Sequence, residues 1–104
     1  MTPTEDQITE VAEVFRLLGD PTRLKVVLAC LDEPVSVGDI AVAVGASVSL
    51  VSHHLRLLKG VRMVRSERDG RQIFYTAADQ HVRSILTDMV EHANETSSHT
   101  VDGS

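Results

Sequence analysis

Apolar residues recur along this chain at three- and four-residue steps in five stretches, separated by short breaks. Ile8, Val11, Ala12, Phe15 and Leu18 mark a first helix, which Gly19 ends. Asp20-Pro21 opens a second, with Asp20 as cap and Pro21 in the first turn, where its missing N–H costs nothing. Leu24, Val27, Leu28 and Leu31 form its expected buried face, and Asp32-Glu33-Pro34 breaks it. Ser36-Val37-Gly38-Asp39 has the form of a capping box before a short third helix carrying Ile40, Ala41 and Val44. Gly45-Ala46 is a tight turn, and Ser47 caps a fourth helix that runs to about Lys59. Two short helices joined by a glycine-containing turn predict a helix-turn-helix.

After Gly60 the period changes to two. Met63-Val64 lies in one extended run and Ile73-Phe74-Tyr75 in another, with Asp69-Gly70 between them as a hairpin signal. A last helix follows from Asp79 to Glu95. Asp79 is its cap, and Val82, Ile85, Leu86, Met89, Val90 and Ala93 recur on one face. The expected fold is mainly α with a small β-hairpin, in the order α-α-α-α-β-β-α. Residues 1–95 form one domain, in which Met1 to Thr4 fray, and residues 96–104 form a polar, flexible tail containing His99.

Composition adds two constraints. Of 104 residues 42% are hydrophobic, yet there is no Trp, one Tyr and two Phe, so the core must be aliphatic. A thin core of this size leans on a second subunit, and a homodimer is expected. Cys30 is the single cysteine and lies in an apolar run, where a buried, inert thiol is expected. The acidic N-terminus does not resemble a signal peptide, and no apolar run reaches membrane-spanning length. The expected location is the cytoplasm, with no membrane partner.

The net charge of −5 argues against nucleic acid until its distribution is considered. The first fifteen residues carry four acids and no base, whereas Ser47 to Tyr75 carries six bases against Glu67 and Asp69. One anion-facing surface on an acidic chain is the expectation, an ordinary solvated hairpin the alternative. In the fourth helix Val48, Val51, Leu55 and Leu58 point inward, leaving Ser49, Ser52, His53 and Arg56 on another stripe. Small or planar donors of this kind suit a helix entering a major groove. Ser47 at the start of that helix, and Arg68 and Arg71 around the hairpin turn, complete the candidate contacts to double-stranded DNA. A basic hairpin directly after such a helix is a wing, able to reach phosphates or a minor groove. His53 and His54 are adjacent, point in different directions and make a poor metal pair; His54 is expected to be packed or merely exposed.

Beside the apolar face of the last helix runs a second stripe of His81, Asp88, His92 and Glu95. His81 and His92 lie roughly 16 Å apart along one helix, too far to share an ion. An antiparallel copy would bring Asp79 and His81 of one chain to His92 and Glu95 of the other, a two-nitrogen, two-oxygen set suited to tetrahedral zinc. On spacing alone, a solvated polar stripe flanking a dimer seam is the preferred account.

These residues resemble a known family. Leu18-Gly19-Asp20-Pro21-Thr22-Arg23, Val51-Ser52-His53-His54-Leu55-Arg56-Leu57-Leu58-Lys59 and the Asp69-Gly70 wing look like the ArsR/SmtB group of winged-helix, metal-responsive repressors, over about Val11 to Glu95. The pattern of Asp79, His81, His92 and Glu95 is similar to that family's interfacial zinc site. The resemblance implies a dimer in which first and last helices pair across the two-fold axis. It implies operator contacts at Ser49, Ser52 and His53. It also implies that the metal-free dimer binds operator DNA and that zinc lowers that affinity. Cobalt or nickel also accept this donor set, with His99 as a further candidate ligand. A regulator answering to these metals or to a non-metal signal, its last-helix site structural or vestigial, is the alternative. Many relatives carry a cysteine where this chain has Ser36, so a thiolate site for arsenic, cadmium or lead is not expected, and a lone Cys30 excludes a paired-cysteine sensor within one chain. No enzyme is expected, since four protein ligands at a helix seam leave no open coordination position.

Overall fold

The computed structural model describes the backbone of residues 1–103 and the side chains of residues 1–95. Its elements are α1 (Glu5–Leu18), α2 (Pro21–Ala29), β1 (Val35–Ser36), α3 (Val37–Val44), α4 (Val48–Gly60), β2 (Val64–Asp69), β3 (Gln72–Ala77) and α5 (Gln80–Gly103). Each helix starts at a short polar side chain that answers free N–H groups of its first turn. Asp20 accepts from the N–H groups of Thr22 and Arg23 at 2.9 and 3.2 Å. Ser36 accepts from Asp39 at 3.2 Å, Ser47 from Leu50 at 3.1 Å and Asp79 from Val82 at 3.0 Å. Thr4 begins α1 in a reciprocal capping box with Gln7, at 3.1 and 2.9 Å. Thr4 is therefore tied down rather than frayed; the Thr-x-x-Gln spacing carried that signal.

The helix-turn-helix sits on one aliphatic cluster. Val26, Val27, Ile40, Val51, Leu55 and Leu58 are fully buried, with Cys30, Leu31, Met63, Val64, Ala77 and Leu86 beside them. Each large side chain so buried contributes about 1.5–3 kcal/mol. Gly45 closes α3 at φ 71, a left-handed conformation that suits glycine, and the chain turns by 108° into α4. On α2 Val26 and Val27 are buried, as are Cys30 and Leu31 just past its end, while Leu24 and Leu28 are half-buried. Val27 and Leu31 are thus buried as expected, Val26 and Cys30 join them, and Leu24 and Leu28 pack against the same cluster.

The outer helices depart further from the one-face expectation. On α1 Leu17 is buried, and Val14 and Leu18 pack against the core, but Ile8, Val11 and Phe15 stay 48%, 53% and 62% exposed. On α5 Leu86 is buried and Val82 half-buried, whereas Ile85, Met89 and Val90 stay 57%, 57% and 49% exposed. Two apolar stripes thus remain outside the protomer's own core. The α5 backbone continues helical to Gly103, through the segment expected as a flexible tail. The side chain of His99 lies outside the described residues. No single helix among the described residues is long and apolar enough to cross a membrane.

The wing is a three-stranded antiparallel sheet in the order β1-β3-β2. β1 is an addition to the expected hairpin: Val35 pairs with Tyr75 and Ser36 with Phe74. Two residues are too few to show an alternating pattern, so periodicity could not reveal it. In the β2–β3 ladder Asp69 pairs with Gln72, so Gly70 and Arg71 form the two-residue loop. Only Gly70, the first loop position, has positive φ (65), the pattern of a II′ turn, and Arg71 lies in the turn rather than beyond it.

α4 ends in a Schellman motif. Met63 N–H donates to the Leu58 carbonyl at 2.9 Å and Arg62 N–H to the Lys59 carbonyl at 3.0 Å. Arg62 occupies the left-handed position, φ 62, where glycine is usual, and its guanidinium pairs with Glu10 of α1. The same conformation therefore sits at Gly45 on the favourable residue and at Arg62 on an unfavourable one. Gly45→Ala meets open space, so its cost is conformational, about 1–2 kcal/mol. Arg62→Gly removes a comparable strain and an exposed ion pair worth at most about 1 kcal/mol, leaving stability unchanged or slightly raised. Denaturant unfolding at fixed protein concentration checks both, and equal losses from the two substitutions would contradict the account.

Candidate functional site

The packing of α4 decides which of its residues meet solvent. Val51, Leu55 and Leu58 turn inward, and Ser49, His53 and Arg56 are exposed with Ser52 half-buried. Val48, expected inward, is 54% exposed, because the core closes one turn further along the helix. Ser47 is exposed, and its oxygen accepts the Leu50 N–H as the helix cap, so its hydroxyl proton remains available for a contact. The loop residue Arg71 lines one groove with Ser52, Val48, Gln72 and the Ser36–Asp39 turn. The wing tip and the polar stripe of α4 therefore open onto the same space.

The six bases between Ser47 and Tyr75 divide into two groups. Lys59 donates to the Ser66 hydroxyl at 2.8 Å, Arg62 pairs with Glu10, and Arg65 pairs with Glu67 at 3.0 Å. These three brace the end of α4, α1 and β2. Arg56, Arg68 and Arg71 are exposed and have no ion-pair partner among the described residues. The sequence-predicted stripe keeps the cations that are free to meet phosphate.

One polar group lies on the inner side of α4. His54 is only 5% exposed and its Nδ1 accepts from Arg23 Nε at 3.2 Å. Arg23 Nη1 also donates to the Leu17 carbonyl at 3.1 Å. Burial, followed by the charge on Arg23, holds His54 below the ordinary imidazole value; Asp20 acts in the opposite direction and His53 in the same one. Of the two expected states, packed or merely exposed, His54 adopts the packed one, and its partner was not anticipated. The spacing of His54 to Val51 and Leu58 carried the signal for the burial; nothing local pointed to Arg23.

On α5, Asp79, His81, His92 and Glu95 are all exposed, in line with the uncovered Ile85, Met89 and Val90. Among the described residues no three His, Cys, Asp or Glu side chains of one chain converge as a metal site. A single protomer does not bring the four together, as the helix length dictates. The donor set nevertheless fits a divalent ion. One carboxylate oxygen of Asp79 accepts the Val82 N–H as the cap of α5, and the side chains of all four residues are exposed. Ser36 spends its oxygen on the α3 cap, and Cys30 is fully buried with Sγ 3.6 Å from the Val26 and Val27 carbonyls. Ser36 carries no sulfur and Cys30 is enclosed, so neither makes a thiolate site.

A family model described as bacterial regulatory protein, arsR family, matches residues 20–66. The HTH-type transcriptional regulator KmtR of Mycobacterium tuberculosis is 44% identical over 92 residues, covering 86% of this chain and 71% of that protein. A transcriptional repressor SmtB homolog of Synechocystis sp. is 39% identical over 90 residues, covering 86% and 68%. Among solved structures, the homodimeric winged helix-turn-helix DNA-binding domain of Mb0332 from Mycobacterium bovis, a possible ArsR-family regulator, superposes with a TM-score of 0.83. It is 25% identical, and the match covers 95% of each chain.

Burial pushes the Cys30 thiol up to about 11. Native protein at pH 8 should therefore react with a thiol-specific disulfide reagent on the order of a hundredfold more slowly than unfolded protein. Comparable rates in buffer and in denaturant would show that Cys30 is accessible after all.

Proposed function

Given that this chain belongs to the arsR family of bacterial regulatory proteins, we propose that it is a metal-responsive repressor whose metal-free homodimer occupies operator DNA. As a family member it is a DNA-binding transcriptional regulator and not an enzyme. The metal reading rests on one observation: α5 carries an uncovered apolar stripe, Ile85, Met89 and Val90, directly beside the exposed stripe of His81, His92 and Glu95. Covering the first with a second copy puts ligands at the seam. Asp79 and His81 of one protomer, with His92 and Glu95 of the other, would hold zinc. When bound, the metal would supply a link between the two last helices, biasing the angle between protomers and lowering operator affinity.

The residues of the chain itself carry the remaining steps. Ile8, Val11 and Phe15 of α1 supply further apolar surface for the seam. The stripe of Ser49, Ser52, His53 and Arg56 faces the major groove, with Ser47 at the helix start able to donate to a phosphate. Arg68 and Arg71 reach the flanking backbone from the wing. Symmetry then asks for a two-fold operator with half-sites about one helical turn apart.

Two measurements test this reading. His92→Ala should leave metal-free operator affinity unchanged while abolishing the zinc response, about 5–150-fold in the unaltered protein. A variant that still released DNA on zinc addition would remove His92 from the site, and parallel titrations with cobalt and nickel would rank the metals. Arg68→Ala and Arg71→Ala should each weaken binding across sequences and reduce the salt slope by about 1. Unchanged slopes would take the wing off the backbone.

A further inference from the structure

Arg23 and His54 stand 31 positions apart and meet where α1, α2 and α4 converge. Three elements are joined through one guanidinium. Nε donates to His54 Nδ1 on α4 at 3.2 Å, and Nη1 donates to the Leu17 carbonyl at the end of α1 at 3.1 Å. The Arg23 backbone N–H donates to Asp20 at 3.2 Å, holding the residue in the first turn of α2. His54 is 5% exposed, yet the residue before it, His53, lies on the exposed stripe of α4. The inner and outer faces of the recognition helix thus meet at this pair of histidines, whose ring centroids are 6.0 Å apart.

A ring nitrogen that accepts a hydrogen bond carries no proton, so this geometry requires neutral His54 with its proton on Nε2. Protonation would place an N–H on Nδ1 against the Arg23 N–H, and a positive charge beside a second one, in a site with little water. The charged and titratable groups facing His54 are Arg23 and Asp20 at the start of α2, and His53 on α4. The Asp20 carboxylate is already engaged by the N–H groups of Thr22 and Arg23, and it does not offset burial and the guanidinium.

We propose that Arg23 and His54 form a proton-sensitive latch that positions the recognition helix. With His54 neutral the latch is closed and α4 is held to its α1–α2 corner; with His54 protonated the latch opens and operator affinity falls. His54 and Arg23 act through α4 and are positioning residues, without contact to DNA. The direction follows from linkage. The imidazole is held below its ordinary 6.5 in the fold, so its contribution to stability is complete above that pH. It is lost as pH falls from 6.5 toward the lower folded value, because the unfolded chain takes the proton first.

The latch rests on the reading of α4 as the operator-facing helix, so its test has one arm with DNA and one without. In the first, full-length protein with chelator present is titrated onto a fluorescent duplex that the protein itself selected from a random pool at pH 7.5. Ionic strength is fixed and pH runs from 8.0 to 5.5. The unaltered protein should lose affinity as pH falls through 6.5, by more than about threefold and at most about tenfold at pH 5.5. His54→Asn keeps an acceptor oxygen where Nδ1 sits and takes up no proton, so it should stay within about threefold of its pH 7.5 value. His53 is common to both proteins, so whatever it contributes cancels in the comparison. Parallel profiles for the two proteins would overturn the latch.

In the second arm, nuclear magnetic resonance follows the His54 ring and the backbone amides of the unaltered protein through the same titration. Amides of α4 and of the Leu17 corner should move with the His54 midpoint. A His54 that titrates while those amides stay still would overturn the latch, even if the Asn variant did not fold. If no duplex were selected at any pH, the operator reading would fail, and the amide titration would still judge the latch.

Discussion

Burial of Val51, Leu55 and Leu58 in one cluster with Val26, Val27 and Ile40 is the contact on which the rest of this molecule depends. It fixes the rotation of α4 about its own axis, and with it which side chains leave the protein surface. Truncating one such leucine to alanine costs about 2–5 kcal/mol, whereas an exposed ion pair is worth about 0–1 kcal/mol. Shape therefore comes from aliphatic packing, and the charges have little part in it. That division leaves Arg56, Arg68 and Arg71 without an ion pair among the described residues of an otherwise acidic chain, and it makes a net charge of −5 compatible with the proposed DNA-facing surface.

The same scarcity of core has a second effect. With two Phe, one Tyr and no Trp, the protomer encloses one face of α2, α3 and α4 but only part of α1 and α5. Phe15 and Met89 are more than half exposed, which is costly for residues of their size unless another surface covers them. The proposed dimer relates this deficit to the proposed sensing role. The proposed ligand stripe is adjacent to the uncovered stripe, so an event at those residues would act on the packing proposed to hold two copies together.

Helix number, order and start points are legible in the sequence because caps and three-to-four spacing are local signals. Asp20, Ser36, Ser47 and Asp79 do what their positions suggest. What escaped was non-local or too short. β1 is two residues long, and its strand character exists only through Phe74 and Tyr75. The Arg23–His54 bond spans 31 positions, so no window of sequence contains it. The exposed halves of α1 and α5 look like core in a periodicity plot, since apolar spacing does not say whether its partner is the same chain or another. The four proposed ligands, Asp79, His81, His92 and Glu95, share this property: their spacing would become meaningful only across two helices.

The pairing of β1 with β3 gives Tyr75 an unusual place. It is the single tyrosine of a chain without tryptophan, and its backbone lies between Val35 on one strand and Ser66 on the other. Ultraviolet emission excited beyond the absorption of its two phenylalanines therefore originates in one phenol ring at the root of the wing. Optical spectroscopy of the native chain is already site-specific, with no label to attach.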